Sequence, residues 1–231
     1  MDIVDTGSGT PVVFLHAATG HSAMWQHQFP AFTAAGYRCI AFDRAADGFA
    51  SDQVEEVAAK LKLDRFHLVG TAAGAIVGVD YVLSHADRVK SLVLANTIVG
   101  AQDADYLELS QRLRPSPQFD KMPADFRELG PSYRAANAPG VNRWNELAHA
   151  KARIAYTIKN RITYAALGTI KPPTLLLTGD ADLYMPPSVL RLFAKHFPRC
   201  ESVVVPECGH SAYWEQPEAF NRAVLDFLRK G

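Results

Sequence analysis

Short, uniformly apolar runs recur along this 231-residue chain, separated by longer amphipathic stretches. Val12-Val13-Phe14-Leu15, Cys39-Ile40-Ala41-Phe42, Phe66 to Val69, Ser91 to Ala95, Thr174 to Leu177 and Ser202 to Val205 are the runs in question. Runs of this length without polar alternation are what strands buried on both faces look like. Helical patterns fill the intervals at Gln53 to Leu61, Ala75 to Ser84, Pro187 to His196 and Pro217 to Arg229. Strands that alternate with helices predict an α/β architecture, a mostly parallel, doubly wound sheet with helices on both faces. Gly7-Ser8-Gly9-Thr10-Pro11 reads as a turn leading into the first buried strand.

One stretch breaks the alternation. Between Gly100 and Leu167 no strand pattern is evident, and Pro115, Pro117, Pro123, Pro131 and Pro139 divide helix-like pieces. A structureless loop of that length inside a compact domain is improbable, so a small helical cap is expected over residues 100–167, inserted into a core formed by 1–99 and 168–231. Its aromatic residues, Tyr106, Phe119, Phe126, Tyr133, Trp144, Tyr156 and Tyr164, serve either as core of the cap or as pocket lining. From Ala101 to Tyr164 there are ten Lys or Arg against seven Asp or Glu, a balance that suits an anionic substrate and equally a solvated surface.

The remaining composition excludes more than it identifies. Twenty-four basic residues offset twenty-four acidic ones, so no global field draws the chain to nucleic acid or to an anionic membrane. The N-terminal residues carry no basic and apolar signal pattern, and no apolar stretch approaches the roughly 18 residues of a transmembrane helix. Cys39, Cys200 and Cys208 are widely spaced and odd in number, which fits reduced thiols better than a disulfide framework or a zinc site. A cytoplasmic location is the resulting expectation. A small-molecule substrate is the expected partner, and self-association into a homo-oligomer stays open.

The chemistry-bearing motifs all follow predicted strands. His16-Ala17-Ala18-Thr19-Gly20 comes after the first buried run, where a loop can aim backbone N–H groups at a developing oxyanion. Gly70-Thr71-Ala72-Ala73-Gly74 joins an apolar run to a helix in the G-x-S-x-G manner of a nucleophile elbow, with Ala72 at the centre. Ala18 and Ala73 are the candidate oxyanion donors. Gly179-Asp180-Ala181-Asp182 follows the Leu175 to Leu177 run and offers a carboxylate to orient a histidine, Asp182 being better spaced than Asp180. His210, in Pro206-Glu207-Cys208-Gly209-His210, is the candidate general base. Elbow, acid, then histidine is the order in which α/β-hydrolase triads occur along a chain. Gly70 to Gly74 lacks the lysine of a phosphate loop and the middle glycine of a dinucleotide fingerprint, and His and Cys show no ligand spacing, so neither cofactor nor metal is expected.

With these motifs the chain resembles the α/β-hydrolase superfamily, in particular the bacterial capped hydrolases related to meta-cleavage-product hydrolases and enol-lactonases. The resemblance rests on His16 to Gly20, Asp43-Arg44, Gly70 to Gly74, Gly179 to Pro187 and Gly209-His210. It implies the α/β-hydrolase fold with a helical cap, and action on a small carbonyl compound such as an ester, a lactone or a vinylogous diketone. The chain departs from the family pattern at Ala72, at His16-Ala17 where His-Gly is usual, in the short Ala45 to Asp52 segment, and in its short N-terminus.

Ala72 closes acyl-enzyme chemistry, because a methyl group cannot attack a carbonyl. Thr71 precedes the elbow tip and should point elsewhere, and Cys208 has the profile of a buried apolar thiol. Two explanations of Ala72 remain at this stage: an alanine standing for serine in an otherwise ordinary elbow, or an alanine belonging to a site with other chemistry. A His210–Asp182 dyad needs no serine to move a proton, which leaves lyase- or hydratase-like chemistry open. A binding protein without turnover is the third alternative.

Overall fold

The computed structural model describes residues 2–152 and 155–230. Met1, Arg153 (one of the basic residues counted above), Ile154 and Gly231 lie outside the described residues. The strands are β1 (Ile3–Thr6), β2 (Thr10–Leu15), β3 (Tyr37–Phe42), β4 (Phe66–Thr71), β5 (Val89–Ala95), β6 (Thr174–Gly179) and β7 (Cys200–Val205). They form one seven-stranded sheet in the order β1-β3-β2-β4-β5-β6-β7. Only β1 is antiparallel to its neighbour; the remaining pairs are parallel.

The side-chain period of two sends alternate residues of each apolar run to opposite faces. Val13, Leu15, Ile40, Phe42, Leu68, Leu92, Leu94 and Leu176 belong to one core cluster; Val12, Phe14, Cys39, Ala41, Val69, Val93, Leu175 and Leu177 belong to the other. Helices α2 (Ala50–Lys60), α3 (Ala73–Ser84) and α9 (Pro187–Ala194) contribute to the first cluster, and α11 (Pro217–Leu228) to the second. Every residue of β4 and of β6 is buried, as expected of central strands covered on both faces.

Two elements escape the periodicity argument. β1 is a short edge strand with three of its four residues exposed, so it carries almost no apolar signal. Helix α1 (Gln28–Ala34) contains Pro30, yet at the third helical position a proline removes no intrahelical hydrogen bond. Its Phe32 packs edge-on against Phe14, with ring centroids 5.2 Å apart.

Between β5 and β6 the chain forms α4 (Ala104–Arg112), α5 (Ala124–Glu128), α6 (Pro131–Ala136), α7 (Ala138–His149) and α8 (Tyr164–Leu167). The described residues of this segment hold no strand beyond an isolated bridge from Phe49 to Thr157. Trp144 and Phe119 are fully buried and Tyr106 nearly so. Among the described residues no helix is long and apolar enough to cross a membrane.

Gly74 fixes how closely α3 approaches β2. A Cβ there would stand 2.1 Å from the Leu15 carbonyl oxygen and 2.6 Å from that of His16. Both obstacles are backbone and cannot rotate away. Gly74→Ala is therefore expected to lower the unfolding free energy by about 1–3 kcal/mol, toward the upper end of that range, read as a shift in denaturant midpoint.

Candidate active site

The carboxyl ends of β2, β4, β5, β6 and β7 share one edge of the sheet, where open α/β sheets carry their ligand crevices. There β4 turns into α3 through Ala72, at φ 48° and ψ −117°. A left-handed alanine is strained and persists only where its surroundings enforce it. Ala72 N–H donates to the Ala95 carbonyl at 2.9 Å, and the Ala72 carbonyl accepts from the Thr97 hydroxyl at 3.0 Å. The end of β5 thus clamps both polar groups of the turn, and α3 starts at once with Ala73. Thr71, Ser22 and Cys208 are buried and do not line the pocket beside Ala72.

His210 Nδ1 lies 2.9 Å from each oxygen of Asp182. An ionised carboxylate only accepts, so Nδ1 carries the hydrogen and Nε2 is the nitrogen left for the pocket. Asp182 is 2% exposed; it accepts from Asn96 Nδ2 on Oδ2 at 3.0 Å and from the Tyr184 and Met185 N–H groups on Oδ1 at 2.8 and 2.9 Å, and the Thr178 hydroxyl shares its one hydrogen between Oδ2 at 3.0 Å and the Met185 carbonyl at 2.6 Å. Burial raises its proton affinity, but His210 and these donors outweigh that and hold the carboxyl below its ordinary range. In His210 burial works against the charged ring, while Asp182, Glu128 and Glu215 together push its proton affinity above the ordinary imidazole value. Asp180 is exposed and accepts the Cys208 N–H instead, so geometry selects Asp182.

The first loop is braced from behind. His16 Nδ1 sits 2.7 Å from the Ala17 carbonyl, and Arg44 donates to the His16 and Ala17 carbonyls at 2.6 and 3.2 Å. Burial first, and then Arg44, depress His16 to about 3, so it is a neutral structural ring. Ala17 keeps a negative φ, which is why a methyl group is accepted where glycine is usual. The short Ala45 to Asp52 segment is held by Gln53, whose carboxamide bonds both backbone groups of Ala45.

The pocket beside Ala72 has a volume of about 190 Å³. Ala18, Ala73 and His210 line it together with Ala72, and among the described residues neither the Ala18 nor the Ala73 N–H donates to a protein acceptor. Arg114, Arg127 and Glu128 reach it from the segment between β5 and β6. Of the aromatics considered for that segment, only Tyr156 lines the pocket; Tyr106, Phe119 and Trp144 are core. The other pocket aromatic, Tyr184, comes from the loop after β6 and packs on His210 with centroids 4.5 Å apart.

Sequence reasoning passed over several residues that hold this arrangement. Asn96, at φ 48°, bonds Asp182 and the Gly209 carbonyl and accepts the Ala212 N–H. Glu215 accepts from the Gly130, Gly209 and Ser211 N–H groups, joining the histidine loop to the inserted segment. An asparagine directly after an apolar run was the available signal for Asn96, since asparagine tolerates left-handed backbone. Glu215 had none.

A model of the alpha/beta hydrolase family matches residues 12–223. The chain belongs to that family. Its curated relatives include a 2-hydroxy-6-oxononadienedioate/2-hydroxy-6-oxononatrienedioate hydrolase of Burkholderia vietnamiensis, 29% identical over 260 residues that cover 98% of this chain and 90% of the relative. Among solved structures, a thermophilic esterase from Thermogutta terrifontis superposes with a TM-score of 0.82 at 24% identity, over 99% of this chain and 93% of that one. The enol-lactonase from Burkholderia xenovorans does so at 0.78 and 19%, over 99% and 96%. At these identities the two structures establish the shared fold. The α/β-hydrolase family assignment agrees with the order of motifs along the chain and with the seven-stranded sheet.

Proposed function

We propose that this alpha/beta hydrolase family member acts on a small carbonyl compound, an ester, lactone or vinylogous diketone bearing an anionic group, without an enzyme nucleophile. The 100–167 segment serves as the cap over the pocket. The substrate carbonyl oxygen sits against the Ala18 and Ala73 N–H groups, and His210, oriented by Asp182, moves the proton. The observation that carries this reading is the intact His210–Asp182 pair facing the same pocket as the strained elbow. A buried carboxylate satisfied by four further donors is costly to keep, and its effect here is to fix one histidine tautomer.

The anionic group follows from Arg114 and Arg127. Arg127 donates to the Tyr184 hydroxyl at 2.7 Å, and Arg114 lies over the Tyr184 ring, 5.0 Å from its centroid. Both line the pocket together with Tyr184. The name of the Burkholderia vietnamiensis relative denotes a dicarboxylate, in keeping with that charge. Arg114→Ala and Arg127→Ala are each expected to raise KM about 10–100-fold for a carboxylate-bearing substrate, the equivalent of a charged hydrogen bond of about 1.5–3 kcal/mol. KM for the corresponding neutral ester should change far less.

The test is a panel of aryl esters, lactones and vinylogous diketones, each with and without a carboxylate, assayed with the native chain and with His210→Ala. Turnover that favours the anionic members and is lost with His210 supports the reading. Turnover that survives loss of His210, or none on any member, contradicts it.

A further inference from the structure

Glu128, the last residue of α5, touches both halves of the site. Its backbone carbonyl accepts the His210 backbone N–H at 2.9 Å, and its carboxylate oxygens each lie 2.8 Å from the Thr19 hydroxyl in the first loop. The side chain is 7% exposed and lines the pocket with His210 and Ala72. In the sequence it is one acidic residue among many, and the family motifs do not include it.

We propose that Glu128 is the second proton-transfer group of this pocket, its carboxylate taking the proton of the attacking water while His210 delivers one to the leaving atom. The inference rests on the proposed carbonyl chemistry and assigns its proton transfers. A carbonyl addition without a covalent enzyme intermediate needs one proton removed from water and one supplied to the leaving group. Two titratable groups in one pocket can divide such work between base and acid. The Thr19 hydroxyl donates to the Glu128 carboxylate. The carboxylates of Asp182, Glu128 and Glu215 favour protonated His210, and Tyr184 packs on its ring. Arg114 and Arg127, the latter adjacent to Glu128 on α5, line the same pocket.

Glu128 accepts one hydrogen of water as its oxygen bonds to the carbonyl carbon, and the electron pair of the C=O bond moves to the oxygen held by Ala18 and Ala73. Collapse restores the C=O bond and breaks the bond to the leaving atom, which takes the proton from His210 Nε2. Proton exchange through solvent from Glu128 back to His210 resets the pair.

The experiment is the pH–rate profile of the native chain on a turned-over panel substrate, together with Glu128→Gln and Glu128→Asp. Glutamine keeps the shape and can still accept from Thr19, but cannot take a proton. It is expected to lower kcat at least about 100-fold with KM changed less than about threefold. Aspartate, which retains a carboxylate, should keep more activity than glutamine. The native profile should fall at low pH as the carboxylate protonates and fall at high pH as His210 deprotonates. Native-level kcat in Glu128→Gln, or equal losses in the glutamine and aspartate variants, overturns the proposal while leaving the His210 reading in place. A native rate that rises with pH through the His210 titration overturns it whether or not the variants fold. Absence of turnover in the native chain removes both this inference and the function it rests on.

Discussion

Ala72→Ser is expected to increase hydrolysis of a small activated ester by about 10³-fold or more. Removal of a triad serine costs about 10⁶ in kcat, with roughly 10³–10⁴ over water surviving through the oxyanion donors and binding. Adding a hydroxyl at position 72, where His210 and the Ala18 and Ala73 N–H groups line the same pocket, should supply a large share of that factor. The elbow is held by Ala95 and Thr97 rather than by the Ala72 side chain, so one added oxygen need not disturb the turn. In this variant His210 must be neutral to accept the serine proton. Its raised proton affinity then places the rising limb of kcat/KM above the ordinary imidazole value of about 6.5, with activity lost as pH falls through that point. If His210 acts as the proposed acid, the Ala72 chain should lose activity in the opposite direction, as pH rises through the His210 titration. A gain below tenfold in a folded Ala72→Ser protein would mean that the elbow and the dyad do not converge.

His210→Ala is expected to erase that gain completely. Triad members act as a unit, so losing the histidine costs about as much as losing histidine and nucleophile together. The Ala72→Ser/His210→Ala protein should therefore return to the level of His210→Ala alone, not to a value intermediate on a logarithmic scale. Measured kcat/KM for the two single variants, the double variant and the native chain closes the cycle. Additive effects would show that the introduced serine reacts without help from His210, against the Nδ1–Asp182 geometry.

How much of this was legible follows from where the information lies. The buried strands announce themselves because burial on both faces leaves no polar alternation, and the elbow because Gly70 and Gly74 permit a strand and helix to approach within backbone contact. Asp182 and His210 were readable from their loops after strands. What joins them was not. Asn96 reaches Gly209 across 113 positions, and Thr19 reaches Glu128 across 109. Such contacts leave no local period, and a single polar residue in a loop looks the same whether it supports a site or meets solvent. Tyr184 shows the same limit. The sequence left the aromatics between 100 and 167 open between core and pocket lining; only Tyr156 of them lines the pocket, and the ring against His210 comes from the loop that supplies Asp182.

The Ala72 elbow, the Ala18 and Ala73 N–H groups and the His210–Asp182 pair are proposed to converge on one carbonyl site that lacks only a nucleophile oxygen. The most direct measurement is reaction of the Ala72→Ser protein with a fluorophosphonate ester, followed by intact mass and peptide mapping. Stoichiometric covalent labelling is expected at position 72, with none in the Ala72 chain and none when His210→Ala is added. An Ala72→Ser protein that folds and binds carbonyl ligands yet resists labelling at position 72 would contradict that convergence.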